Sequence, residues 1–163
     1  MTTTAIPDWP NPESPEAITF FGNAGAIVAA WRARGVPEAF ALGMLANAEA
    51  ESSLDPNARG DHVNGEPTAF GLHQWHKGRV EDIRQGCGID IEASSLSQQV
   101  DAAWWELQHY PYLGLREIQA QKTAYMAAYV ACILFEHAGA ANAADRRGMM
   151  AERWSAYFGE KAS

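Results

Sequence analysis

Apolar residues recur at helical spacing through most of the chain and lose that spacing in one polar stretch, residues 52–70. Pro7, Pro10 and Pro12 make residues 1–13 an extended arm, because each proline removes a donor and restricts its predecessor. Ser14-Pro15-Glu16 then supplies an N-cap, a first-turn proline and a first-turn acid. Ile18, Phe21, Ala24, Val28 and Trp31 follow at helical intervals, and this helix stops near Gly35. Pro37-Glu38 starts a second helix that runs to about residue 52. In the polar stretch, Asn64-Gly65 predicts a tight turn and a small hairpin, although Pro67 weakens one strand.

Beyond the hairpin, Gly71 to Trp75 leads into a short helix around Val80 and Ile83 that the run GCG closes. Ser95 and Gln98 form a capping box, opening a helix that carries Leu96, Val100, Ala103, Trp104 and Leu107. A linker around YPYLG follows, then a buried helix over about 123–138 and a last one with Met150, Trp154 and Phe158. No internal repeat or low-complexity segment interrupts the order. The pattern predicts an α+β fold that is mainly helical, with residues 14–163 forming one domain behind the arm.

Composition narrows the class. A 163-residue chain that is 47% hydrophobic and 20% charged can bury a core of its own. Its net charge of -8 disfavours a nucleic-acid partner, which would call for a basic surface. The longest apolar run, AYMAAYVACILF at 124–135, is too short to span a bilayer, so no membrane insertion is expected. The chain shows no basic start followed by an apolar run of about 7–15 residues, so no signal peptide is expected. Cys87 and Cys132 do not make a disulfide framework, and both are read as reduced.

The chemistry concentrates in Glu49 and Glu51, two places apart at the end of the second helix. At 100° per residue, Met44 and Asn47 fall within about 40° of Phe40, and Glu51 returns to within about 20°. Glu49 falls about 180° away. The geometry therefore predicts Glu51 on the core-facing stripe and Glu49 in water. A carboxyl on an apolar stripe resists ionisation, and the negative end of the helix adds to that resistance. A proton held near neutrality suits a general acid for glycosidic cleavage. The structural alternative is that Glu51 pairs with Arg79 or Arg147 and fixes the helix end.

NAEAESSLDP (47–56) and GLHQWHKGR (71–79) resemble the phage tail lysozyme family and, more distantly, the goose-type lysozymes and lytic transglycosylases. Asn47, Glu51, Ser52, Leu54, Pro56, Gly71, Gln74, Trp75 and Arg79 occupy the places of that pattern, which covers roughly residues 35–158. The resemblance implies a lysozyme-like domain with a small β-hairpin beside its cleft. It implies a muramidase that hydrolyses the β-1,4 bond between N-acetylmuramic acid and N-acetylglucosamine in peptidoglycan, with Glu51 as general acid. Asp61 would position or deprotonate water or stabilise the oxocarbenium ion, and Thr68 would hold the water. Asp61 lies ten residues after Glu51, at most ~36 Å of extended chain, so a hairpin can return it; otherwise it caps the turn after Gly60. Glu66 and Glu136 compete for the second carboxyl role. Ser52 would orient Glu51 or an acetamido group, or else bond the last helical carbonyls. Gln74 would serve an N-acetyl group, Trp75 would face a sugar ring or pack in the core, and Arg79 would hold Glu51's surroundings or a muramyl carboxylate.

Two departures from the family pattern stand out. Ser53 occupies a place where glycine is common, and His73 replaces a small or apolar residue before the glutamine. The resemblance implies no cofactor, a monomer, and delivery to the wall within a phage tail or through lesions during lysis. A lytic transglycosylase giving 1,6-anhydro products and a non-catalytic sugar-binding tail module are the alternatives. A zinc peptidase using His73 and His76 is the third, though it lacks the helical His-Glu-x-x-His arrangement, and no metal site is expected.

Overall fold

The computed structural model describes residues 5–162, and the arm's residues 1–4 and Ser163 lie outside them. α1 (Pro15–Arg32) begins where Ser14 accepts a hydrogen bond from the Ala17 amide, with proline in the first turn. α2 (Glu38–Ser52) is buried at every position from Phe40 to Glu49. It is the central helix, packed by α1, by α6 (Ala124–Ala131) and by α7 (Ala143–Ala162). A helix apolar on all sides belongs in a core, and the small residues of α2 let its neighbours approach closely.

Gly43 shows how close. A Cβ there would lie 2.8 Å from backbone atoms of Ala127 and Ala128 in α6. Gly43→Ala is therefore expected to cost about 1–3 kcal/mol by overpacking, a fall in Tm of about 2–10 °C measurable by thermal denaturation. An unchanged Tm would mean that α2 and α6 pack more loosely than described.

The predicted helices form, with instructive differences. In α1, Ile18 is exposed and Phe20 and Ile27 join Ala24, Val28 and Trp31 in the core. The buried stripe is shifted because residues 5–11, although without regular secondary structure, dock on this side. Trp9 contacts Phe20, Phe21 and Trp154, and Arg146 and Arg153 donate to the carbonyls of Ala5 and Pro7. The Ser95 capping box opens α4 (Leu96–His109) as expected. The linker after it holds a 3-10 turn at Pro111–Leu113 and a short helix, α5 (Leu115–Gln119).

The polar stretch becomes the hairpin, plus a strand that periodicity did not reveal. β1 (Arg59–Gly60) and β2 (Ala69–Phe70) pair antiparallel with Arg59 opposite Phe70. Val63 and Glu66 bridge around Asn64-Gly65, both of which take positive φ as a two-residue hairpin turn requires. β3 (Trp75–His76) adds to β2 with Phe70 opposite Trp75, and α3 (Lys77–Cys87) follows it directly. Strands of two residues are too short to show an alternating pattern. The result is an α+β fold, mainly helical, with a small three-stranded antiparallel sheet inserted between α2 and the later helices.

The helix expected over 123–138 changes character at its end. After α6, residues Cys132–Glu136 form a π-helical turn that closes at His137, in the left-handed region. Such turns rotate the residues that follow and often occur at functional sites. Glu136 is the last residue of this turn.

Candidate active site

The two glutamates of α2 are distinguished by their partners. Glu49 does not point to water, as helical geometry predicts; its side chain is 4% exposed. Trp154 Nε1 donates to it at 2.8 Å and Arg153 Nη2 at 3.1 Å, and Arg153 also stacks over Trp9. The expectation fails because α7 and the arm cover the face of α2 that the periodicity assigns to solvent. Burial pushes the Glu49 carboxyl above its ordinary value, against the indole of Trp154 and the charge of Arg153. Glu49 is a sealed structural acid.

Glu51, in the last turn of the same helix, keeps its side chain 21% exposed. Arg147 Nη2 donates to its Oε1 at 2.8 Å, while Nη1 donates to Asn47 Oδ1 at 2.9 Å. Asn47 in turn donates to the carbonyls of Gly43 and Ala128, so backbone on two helices fixes the guanidinium. The structural alternative of an arginine partner is thus realised through Arg147. The carboxyl is nonetheless pushed up, first by burial and then by the charge of Glu136, with Arg147 and His73 opposing. Both glutamates hold a proton more readily than usual, yet only Glu51 keeps part of its side chain exposed.

Ser53, directly after the helix, takes φ of 54° and Leu54 takes 63°. A left-handed residue at a helix end favours glycine, which explains why a glycine suits the place of Ser53. Ser52 is buried and its hydroxyl donates to the Ala48 carbonyl at 2.9 Å, the local bond that serine makes at a helix end.

On the hairpin, Asp61 is exposed, with φ of 50°. Its carbonyl accepts from the Thr68 hydroxyl and its carboxylate lies 3.3 Å from His76 Nε2. The structure thus joins Asp61 to Thr68, and among the described residues gives neither a hydrogen bond or ion pair to Glu51. Glu66 is exposed at the hairpin turn. Gln74, also at positive φ, donates to the carbonyls of Ala58 and Gly71 and ties the β2–β3 turn to the start of the hairpin.

Trp75 offers no face to a sugar: it is fully buried and its Nε1 donates to Glu106 at 2.7 Å. Its place beside the sheet turns the ring into the core, which corrects the substrate-contact expectation. Arg79 forks onto both oxygens of the same Glu106 at 2.8 Å, donates to the Phe135 carbonyl and lies over the Phe135 ring. Glu106 is a site-supporting residue that sequence reading missed. Its signal was an acid set directly within the apolar and aromatic run AAWWELQ. Gln99, also missed, joins the Leu72 amide to the Pro56 carbonyl and so couples the two family-like segments.

His73 is buried in the β2–β3 turn, hydrogen-bonded through Nδ1 to Glu136, and each side chain of this pair is 2% exposed. Its ring stands edge-on to Trp75 and Phe135. His76 is exposed beside Asp61, so the two histidines serve different surroundings. Among the described residues no three His, Cys, Asp or Glu side chains are grouped to hold a metal, no helix is long and apolar enough to cross a membrane, and both cysteines are free.

The family model of the phage tail lysozymes matches residues 22–158, which include the whole of α2, the sheet and the His73–Glu136 pair. A search of curated proteins finds no match.

Proposed function

Because this chain belongs to the phage tail lysozyme family, a lysozyme-like group that degrades peptidoglycan, we propose that it is a muramidase in which Glu51 is the general acid. The bond cleaved is the β-1,4 linkage between N-acetylmuramic acid and N-acetylglucosamine. The observation that carries this reading is the state of Glu51: raised in proton affinity, pinned by Arg147, and still open at one edge. A carboxyl in that condition delivers its proton to the leaving glycosidic oxygen and returns as a carboxylate that Arg147 stabilises.

Asp61 supplies the complementary role from the hairpin. It is exposed and acidic, and its backbone is tied to Thr68; with Thr68 it orients the attacking water or steadies positive charge on the sugar. Ser52 and Gln74 bond the backbone at the end of α2 and in the β2–β3 turn, and Trp75 and Arg79 brace the domain from within through Glu106. The substrate is the glycan strand of bacterial peptidoglycan, the setting is a phage tail or phage-driven lysis, and the working form is a monomer that needs no cofactor.

The products decide the reaction type. Purified peptidoglycan digested with the wild type and analysed by mass spectrometry is expected to yield reducing muramic ends, equally with and without a chelator. Anhydromuramic ends would assign a lytic transglycosylase. Peptide cleavage stopped by the chelator would assign a metallopeptidase, and intact glycan strands would leave a binding module.

A further inference from the structure

Gly43, Asn47 and Glu51 follow one another at four-residue intervals and so share one face of α2. Gly43 has no side chain to hold α6 away, and the Ala127–Ala128 backbone comes against it. That approach brings the Ala128 carbonyl within reach of Asn47. A fully buried amide must have its bonds made inside the protein. The Asn47 Nδ2 group donates to the Gly43 carbonyl at 2.9 Å and to the Ala128 carbonyl at 3.0 Å. Both N–H groups are therefore engaged, and turning the amide over would set its oxygen against two carbonyls. Its Oδ1 is left to face α7, where it accepts from Arg147 Nη1 at 2.9 Å.

An arginine beside a carboxylate commonly forks onto both of its oxygens, as Arg79 does on Glu106. Arg147 does not fork onto Glu51. One terminal nitrogen is held by Asn47, and the other reaches only Oε1, at 2.8 Å. Among the described residues Oε2 of Glu51 takes no hydrogen bond or ion pair. We propose that Asn47 is a positioning residue for the proton donor: by holding Nη1 of Arg147 it keeps the guanidinium on Oε1 and leaves Oε2 as the oxygen that carries and delivers the proton. The inference rests on the reading of Glu51 as general acid. It assigns a task to a neutral side chain that touches neither Glu51 nor the substrate.

Asn47→Ala separates this role from packing. Alanine suits a helix interior, and the Ala128 carbonyl still accepts from the Cys132 amide. Nη1 of Arg147 is then free to join Nη2 on Glu51. A fork on both oxygens favours the carboxylate and releases the proton. Replacing Arg147 by lysine in the same protein removes the fork, because a single ammonium cannot span both oxygens in that way, and the positive charge stays. The other charged or titratable groups that act on Glu51, His73 from the β2–β3 turn and Glu136 from the π turn, are the same in every variant. A purely structural Asn47 would lower the amount of folded enzyme alike at every pH, and lysine would not restore it.

The test is the pH profile of kcat/KM on purified peptidoglycan for the wild type, Asn47→Ala, and Asn47→Ala combined with Arg147→Lys. Activity depends on protonated Glu51, so it falls at alkaline pH as that proton leaves. The alkaline limb is expected to move to lower pH by about one unit in Asn47→Ala and to return towards the wild type when Arg147→Lys is added. Carbon-13 NMR titration of the Glu51 carboxyl in folded Asn47→Ala should show the same downward shift without any turnover. An unmoved limb, a limb that lysine does not restore, or an unshifted carboxyl would overturn the proposal. If Asn47→Ala does not fold, Asn47→Ser, whose hydroxyl can bond back to the Gly43 carbonyl, is judged by the same shifts. Failure of the wild type to cleave glycan at any pH would instead sink the general-acid reading, and the carboxyl titration would still judge Asn47.

Discussion

Glu51→Gln should lower kcat/KM on peptidoglycan by about 10²–10⁴-fold, the usual contribution of a positioned proton donor, while the protein remains folded. The amide keeps an oxygen that can accept from Arg147 Nη2, so the Arg147–Asn47 network survives. Stability should even favour the variant at neutral pH. In the wild type, folding prefers the protonated carboxyl because burial and Glu136 raise its proton affinity. That preference contributes below the ordinary carboxylate range and is lost as pH rises through the raised value in the folded protein. Above that window the ionised group weighs against folding, and glutamine does not titrate. Denaturant melts across pH would show the wild type losing ground to Glu51→Gln as pH rises. Retained turnover in a folded Glu51→Gln protein would remove Glu51 from the reaction.

The largest stability loss is expected at Glu106. One carboxylate, 2% exposed, receives the indole of Trp75 and both edges of the Arg79 fork. Glu106→Ala leaves a buried indole N–H without its acceptor and a mostly covered guanidinium without its counter-charge. Breaking such a pair from one side costs about 3–5 kcal/mol; because Arg79 retains some access to water, about 3 kcal/mol is expected here. Thermal denaturation should show Tm lower by about 6–12 °C. Glu106→Gln should lose less, since its carbonyl can still accept from Trp75. If Glu106→Ala melts with the wild type, the three residues are not the strut described. Arg79 also holds the Phe135 carbonyl, so the strut ties α3 to the π turn.

Much of the helical frame was legible. Ser14-Pro15, the Ser95–Gln98 box and the Asn64-Gly65 turn act through bonds to residues only a few positions away, and the structure places an element boundary or turn at each. The π turn and β3 were not legible. A π turn differs from an α turn by one residue of register, and a two-residue strand has no period to detect. In both cases tertiary contacts select the local geometry.

The site divides along the same line. Sequence alone determined that an acid sits at the end of an apolar helix and precedes a glycine-led aromatic segment, because both are local facts. It chose Glu51 over Glu49, by periodicity and by the family resemblance, but it placed Glu49 in water. Helical periodicity assigns one face to water, and α2 is buried from Phe40 to Glu49. Only the tertiary structure sealed Glu49 under Trp154, left Glu51 an open edge, and turned Trp75 inward. The decisive partners are distant in the chain: Arg147 lies 96 residues from Glu51, and Glu136 lies 63 from His73. Electrostatic energy depends on distance in space and on the water excluded between charges. Those quantities come into existence only when the helices pack.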